Sequence, residues 1–174
     1  TVTTRDAAGR LIGTYTNAVS TAATYAGAIA AHSSHDVVKL VLDTATAATT
    51  TNTTVHFQVV GAVAAGGHIV LTLPDMSSSS QTGWELGSGG ASSVVVFRSL
   101  SNQQVTGVLS NGARTITVEV PADIDEGSDV ELEVTNLKTP SAAIGSSTDT
   151  IIQTTDASNG QIDEVSTAYV GSTQ

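Results

Sequence analysis

The sequence contains no cysteine, which excludes disulfide bonds, thiolate metal sites and cysteine nucleophiles. Basic side chains are also scarce, because six Lys and Arg stand against 16 Asp and Glu and the formal net charge is −10. Nucleic acids and anionic membrane surfaces are bound through Lys and Arg, so neither is an expected partner. No apolar run approaches the roughly 18 residues of a membrane-spanning helix, so no membrane span is expected.

Aromatic residues make up only 3% of the chain, and charged residues only 13%. The core must therefore be built mainly from Val, Ile and Leu, and solubility must come from neutral polar groups. Serine and threonine together supply about a quarter of the residues. A hydroxyl-rich, lysine-poor and acidic surface is typical of proteins outside cells, so we expect an extracellular or cell-surface location.

What is present from residue 36 onward is a series of short segments in which apolar and polar residues alternate. Val55, Phe57 and Val59 alternate with polar residues, and Asn111-Gly112 lies between two such segments as a hairpin turn. The pattern predicts an all-β fold, an Ig-like antiparallel β-sandwich with Greek-key connections over residues 36–174. The predicted strands are 37–42, 53–60, 68–73, 93–97, 104–109, 114–120, 130–134, 149–154 and 161–170.

Residues 1–35 form a separate N-terminal arm in this interpretation. The arm is rich in Ala and Thr, with strand-like patches at 1–4 and 11–16, and it is too polar to build a core of its own. Three alternatives remain open at this point: the arm is a disordered tail or linker, it packs on its own sandwich, or it donates a strand to another subunit.

Three segments carry a resemblance to a known family. They are TTVHFQVVGAVAAGGHIVLTLPD at 53–75, RTITVEVPADIDEGSDVELEVTNLKTPSA at 114–142 and TIIQTTDASNGQID at 150–163. Together they resemble the Ig-like domain that recurs in surface and extracellular repeat proteins of microbes. The resemblance implies an Ig-like sandwich with an adhesive or structural role and brings no catalytic residues. The family usually occurs in tandem arrays, whereas here one module follows an arm.

The layout of one such module behind a strand-prone arm is similar to pilus subunits that assemble by donor-strand exchange. On this resemblance we expect a structural subunit of an extracellular fibre or pilus, with the protein itself as partner in a helical homopolymer. Two alternatives remain: a monomeric extracellular adhesion or glycan-binding module that uses the loop around the only Trp, or one unit of a tandem-repeat surface protein. The expected donor-strand residues are Leu11, Ile12, Thr14, Tyr15 and Val2.

No catalytic or cofactor-binding motif is present, so an enzyme is not expected and no cofactor is predicted. His32 and His35 form an H-S-S-H pair, either a weak metal-binding pair or two histidines in a linker. The acidic turns 123–129 and 156–163 are either solvated turns or oxygen-rich loops for Ca²⁺, although neither fits the EF-hand spacing. Asn52 begins an N-x-[ST] sequon that we expect at a loop, which makes it a candidate glycosylation site.

Overall fold

The computed structural model describes residues 2–5, 11–15, 27–75, 82–86, 94–110, 114–143 and 145–171. This part of the chain is all-β and contains no helix, and it therefore contains no helix that could cross a bilayer. The fourteen strands are β1 (Val2–Arg5), β2 (Leu11–Tyr15), β3 (Gly27–Ala28), β4 (Lys39–Leu42), β5 (Thr50–Gln58), β6 (His68–Thr72), β7 (Glu85–Leu86), β8 (Val94–Phe97), β9 (Gln103–Thr106), β10 (Val108–Ser110), β11 (Thr115–Glu119), β12 (Asp129–Lys138), β13 (Ser147–Thr155) and β14 (Gln161–Val170).

Strands β1 and β2 form a small sheet of their own. They pair antiparallel, with Val2 opposite Tyr15 and Thr4 opposite Gly13, and the register shifts at Arg5. Neither strand pairs with any other described strand. The strand expected at 11–16 is therefore confirmed as β2, and the patch expected at 1–4 as β1.

The other twelve strands form one continuous hydrogen-bonded sheet. Its main path runs β10-β11-β6-β13-β14-β4-β5-β12-β8-β9, while β3 pairs with β14 and β7 with β12 off this path. All pairings are antiparallel except those of β14 with β3 and β4, which are parallel. The two end strands, β9 and β10, are consecutive in the chain and are separated only by Gly107, so the sheet nearly closes on itself.

The core lies on the inner face of this sheet and is almost entirely aliphatic. In β5, buried residues alternate with half-buried ones, as expected for a strand with one face on a core. Phe57 and Phe97 are fully buried, and they are surrounded by valines, leucines and isoleucines from the strands of both halves of the path. The scarcity of aromatic residues thus gives a core of many small contacts rather than a few large ones.

Each of the nine strands predicted after residue 36 corresponds to strand structure, so the all-β prediction is confirmed. The observed strands differ in detail from the predicted ones. The segment 104–109 is divided by Gly107 into β9 and β10, which lie at opposite ends of the sheet path. Strand β5 begins at Thr50 rather than at residue 53, and β12 extends to Lys138 rather than ending at residue 134. The two-residue strands β3 and β7 were not predicted.

Candidate functional site

The segment that connects the arm to the sheet runs along the boundary between β14 and β5. Gly27 and Ala28 pair with β14, and Ala30 then exchanges two backbone hydrogen bonds with Gln58 of β5, at 3.0 and 2.9 Å. Ile29 is 5% exposed and belongs to the core. The sheet and its core therefore already include residues 27–30, which the sequence interpretation assigned to the arm.

A groove opens where β4 and β14 separate. The two strands are in register only at Tyr169 opposite Lys39 and Val170 opposite Leu40, and β14 ends there while β4 continues. The resulting cavity of about 230 Å³ is lined by Lys39, Leu40, Val41, Leu42, Ala45, Tyr169 and Gly171. We refer to these seven residues as the β4–β14 groove.

The β4–β14 groove is apolar at a position where a sheet surface is usually polar. Val41 is 40% exposed and Tyr169 38% exposed, and both are among the few large apolar side chains that the structure leaves open to solvent. Lys39 is the only charged residue in its lining. An exposed strand edge with apolar side chains beside it is a common place for another strand to bind.

Three histidines meet on the outer face of β5, and we call them the histidine cluster. The ring centroids of His35 and His56 are 4.5 Å apart, and His32 lies 5.5 Å from His35 and 5.6 Å from His56. The rings of His32 and His35 are both edge-on to that of His56. Sequence analysis singled out only His32 and His35. The strand alternation put His56 on the outer face, but the contact of residues 30–35 with β5 is a tertiary feature that the sequence pattern does not reveal.

The surroundings of the histidine cluster oppose protonation of its central ring. Burial lowers the pKa of His56 below its usual value, and His35, His32 and Lys39 lower it further, while Glu131 on β12 acts in the opposite direction. Lys39 and Glu131 stand directly opposite His56 on the two neighbouring strands. The combined effect of burial and of these three side chains on the pKa of His56 is therefore larger than the opposing effect of the Glu131 carboxylate.

The cluster is attached to β12 through a carboxylate. Ser33 donates hydrogen bonds from its backbone N–H, at 2.9 Å, and from its hydroxyl to Asp129, and these bonds lower the pKa of that carboxyl group. His32 Nδ1 accepts the N–H of Ser34 at 3.1 Å. Among the described residues, no group of three or more His, Asp or Glu side chains is arranged to hold a metal ion.

Carboxylates of both acidic turns accept hydrogen bonds from backbone N–H groups. Asp156 accepts the N–H groups of Ser158 and Gly160, and Asp123 accepts that of Ala65. Asp163 is 1% exposed, and one of its oxygens accepts N–H groups at 2.9 and 2.8 Å from the turn that follows β5. This use of the side chains favours a structural role for the turns over a calcium site.

Two further sequence candidates have clear places in the fold. Asn52 lies in β5 rather than in the expected loop, and its side-chain amide donates to Glu133 at 3.3 Å. Trp84 is 4% exposed and packs in the core, so its ring is not a surface platform for a sugar. The expected donor residues Leu11, Ile12, Thr14 and Tyr15 all lie in β2, and Val2 lies in β1.

Comparisons with known proteins returned no match, whether by family models, among curated proteins or among solved structures.

Proposed function

We propose that this protein is a structural subunit of an extracellular fibre, in which each body is an Ig-like antiparallel sandwich. The subunits polymerise when the N-terminal strand of one protomer inserts into the sheet of another. The observation that carries the proposal is the separation of β1 and β2, which pair with each other and with none of the other described strands. A two-stranded sheet without a third strand or a packed face is at best marginally stable in water.

Strand donation would give both subunits backbone hydrogen bonds that each lacks alone. The hairpin would gain main-chain hydrogen bonds along the free edge of β2, and the acceptor would cover an exposed edge. In β2, Leu11, Gly13 and Tyr15 alternate with Ile12 and Thr14, so one face can supply two large side chains to a groove. Val2 lies opposite Tyr15 in the hairpin and would accompany it.

The charge distribution also favours the arm as the part that meets another subunit. Residues 1–26 carry two basic and one acidic side chain, a net charge of +1, whereas residues 27–174 carry four basic and 15 acidic ones, a net charge of −11. Two bodies of that charge repel each other at low salt. The arm is the oppositely charged segment, so it can approach a neighbouring body without that repulsion.

A donor and an acceptor surface that differ produce a heterologous contact, which propagates into a helical fibre unless it closes. The only partner in this proposal is another copy of the chain. The fibre lies outside the cell or on its surface, and the protein is not an enzyme and needs no cofactor. Asn52 is the proposed site for a covalent glycan, since the side chain is partly exposed.

Deletion of residues 2–16 tests the proposal, with size-exclusion chromatography and negative-stain microscopy as readouts. We expect the full chain to form fibres and the deletion variant to stay monomeric. Thr14→Pro should have the same effect, because proline cannot donate to a ladder, while Thr14→Ala should still assemble. Fibres that persist unchanged after the deletion would refute strand donation. Monomers from every variant would favour a monomeric adhesion module or one unit of a repeat protein.

A further inference from the structure

The β4–β14 groove combines an apolar lining with a strand edge that no other described strand covers beyond Leu40. Asp43 donates its N–H to the carbonyl of Asn52 at 3.0 Å, on the β5 side of the strand. Since successive residues of a strand direct their backbone groups to opposite edges, Leu42 directs its own toward the β14 side. Strand β14 pairs with β4 no further than Val170 opposite Leu40. An added strand can continue the pairing from that point.

We propose that this groove receives strand β2 from a second copy of the chain, an inference that rests on the proposed function and names its acceptor site. Strand β4 continues beyond Leu40 only through Val41 and Leu42, so β2 (Leu11–Tyr15) can pair with it over part of its length. Thr44 is not available to an added strand, because its N–H already donates to Thr51 Oγ1 at 2.9 Å. Strand β1 would remain paired with the opposite edge of β2, so the acceptor sheet would gain both strands of the hairpin.

Side-chain alternation fits the same arrangement. In β4, Leu40 is buried, Val41 is exposed and Leu42 is half-buried, so Val41 faces outward between two inward-facing leucines. A β2 strand seated there with Leu11 and Tyr15 inward would bury both large side chains against the apolar lining. Its residues Ile12 and Thr14 would then face outward beside Val41.

The other open edges of the sheet are poorer acceptors. Strand β9 has the sequence QQVT and only Val105 is half-buried, so it offers polar, exposed side chains. Strand β10 has only three residues, and its Val108 is 71% exposed. In the part of the chain that the structure describes, the β4–β14 groove is the edge that combines an apolar cavity with backbone groups left by a neighbouring strand.

The absence of cysteine allows a clean cross-linking test. Three single variants of the full chain are prepared: Thr14→Cys as donor, Val41→Cys as acceptor, and Val108→Cys as a control that is more exposed than Val41. The donor is mixed with either of the others under oxidised glutathione, which accepts the electrons of disulfide formation. Side chains directly opposite on neighbouring strands are close enough for a disulfide. Ile12→Cys covers the alternative register.

We expect donor and Val41→Cys to give a covalent dimer at twice the 17.5 kDa chain mass, at least tenfold more than donor and Val108→Cys. Equal or greater yield with Val108→Cys would overturn the groove as acceptor. The double variant Thr14→Cys/Val41→Cys shows whether donor and acceptor belong to the same copy of the chain. A disulfide within the monomer, with no dimer from the mixture of single variants, would mean that the arm occupies its own groove. If fibres still require residues 2–16 while the groove does not cross-link, the acceptor site is wrong and strand donation stands. If fibres form without residues 2–16, strand donation itself is wrong.

Discussion

The buried carboxylate of Asp163 offers the most direct test of how this sheet is held together. One of its oxygens accepts hydrogen bonds from the N–H groups of Val60 at 2.9 Å and Gly61 at 2.8 Å. Asp163 itself is only 1% exposed. These bonds join β14 to the turn after β5, and residues 27–30 run between the two. Asp163→Asn keeps one acceptor oxygen but removes the charge that strengthens both bonds.

The expected loss follows from the number and type of these bonds. A hydrogen bond to a charged group contributes about 1.5–3 kcal/mol and a neutral one about 0.5–1.5 kcal/mol, so Asp163→Asn should lower the free energy of unfolding by about 2 kcal/mol. Asp163→Ala removes both charge-assisted bonds, leaves two partly buried donors without this acceptor and should cost about 3–5 kcal/mol. Asp123→Asn is the matched control, because it changes one exposed bond to Ala65 and should cost about 0.5 kcal/mol.

Urea unfolding followed by circular dichroism measures these differences, provided that the slope of the free energy against urea stays the same in all variants. The reasoning would be refuted if Asp163→Asn and Asp123→Asn lowered stability equally. It would also fail if Asp163→Ala cost no more than Asp163→Asn, because the N–H groups of Val60 and Gly61 would then not depend on this side chain.

Three further changes have signs that the structure determines. Gly27→Ala places a Cβ in a clash with the Asp163 carboxylate and should cost about 1–3 kcal/mol in urea unfolding, whereas Gly145→Ala, with open space around the added Cβ, should be neutral. Thr139→Val removes a buried hydroxyl that hydrogen-bonds the loop before β5 and should cost about 1–3 kcal/mol, but Thr53→Val removes an unpartnered buried hydroxyl and should not destabilise. Because the folded pKa of His56 lies below its unfolded value of about 6.5, stability should fall as the pH drops through 6.5 and level off below the folded pKa. Urea unfolding at pH 8, 6 and 5 should show a smaller decrease for His56→Gln, and an unchanged decrease would contradict the assignment.

The strands could be predicted because their pattern is local. A period of two residues in β5, β6 and β11 reveals which side chains face the core, and Asn111-Gly112 correctly placed the β10–β11 hairpin. The break at Gly107 was not predicted, since Val105, Gly107 and Leu109 would share one face of a continuous strand. At Gly107 the chain passes from β9, at one end of the sheet path, to β10, at the other end. This change of neighbouring strands depends on tertiary pairing, which the local pattern does not contain.

The candidate sites were less accessible to sequence reasoning for the same reason. The β4–β14 groove exists because two strands distant in sequence are parallel for only two residue pairs. The histidine cluster requires that residues 30–35 fold onto β5, although the H-S-S-H spacing alone drew attention to two of its members. Composition was informative in a different way, because the low aromatic content correctly indicated an aliphatic core. The alternative of a binding module that uses the loop around Trp84 is not favoured, because that ring is buried.

The groove and the histidine cluster are not independent, because Lys39 of the groove stands next to His56 of the cluster. It lines the groove, and it stands opposite His56 across the β4–β5 pair, where its positive charge contributes to the lowered pKa of that histidine. A strand seated beside β4 has to displace the Lys39 side chain or cover its stem, and either change alters the field at the His56 ring. Titration of His56 by NMR should therefore shift when the groove is filled. Replacing Lys39 with Met should remove most of that response, since the intervening charge would be gone while the apolar stem remains.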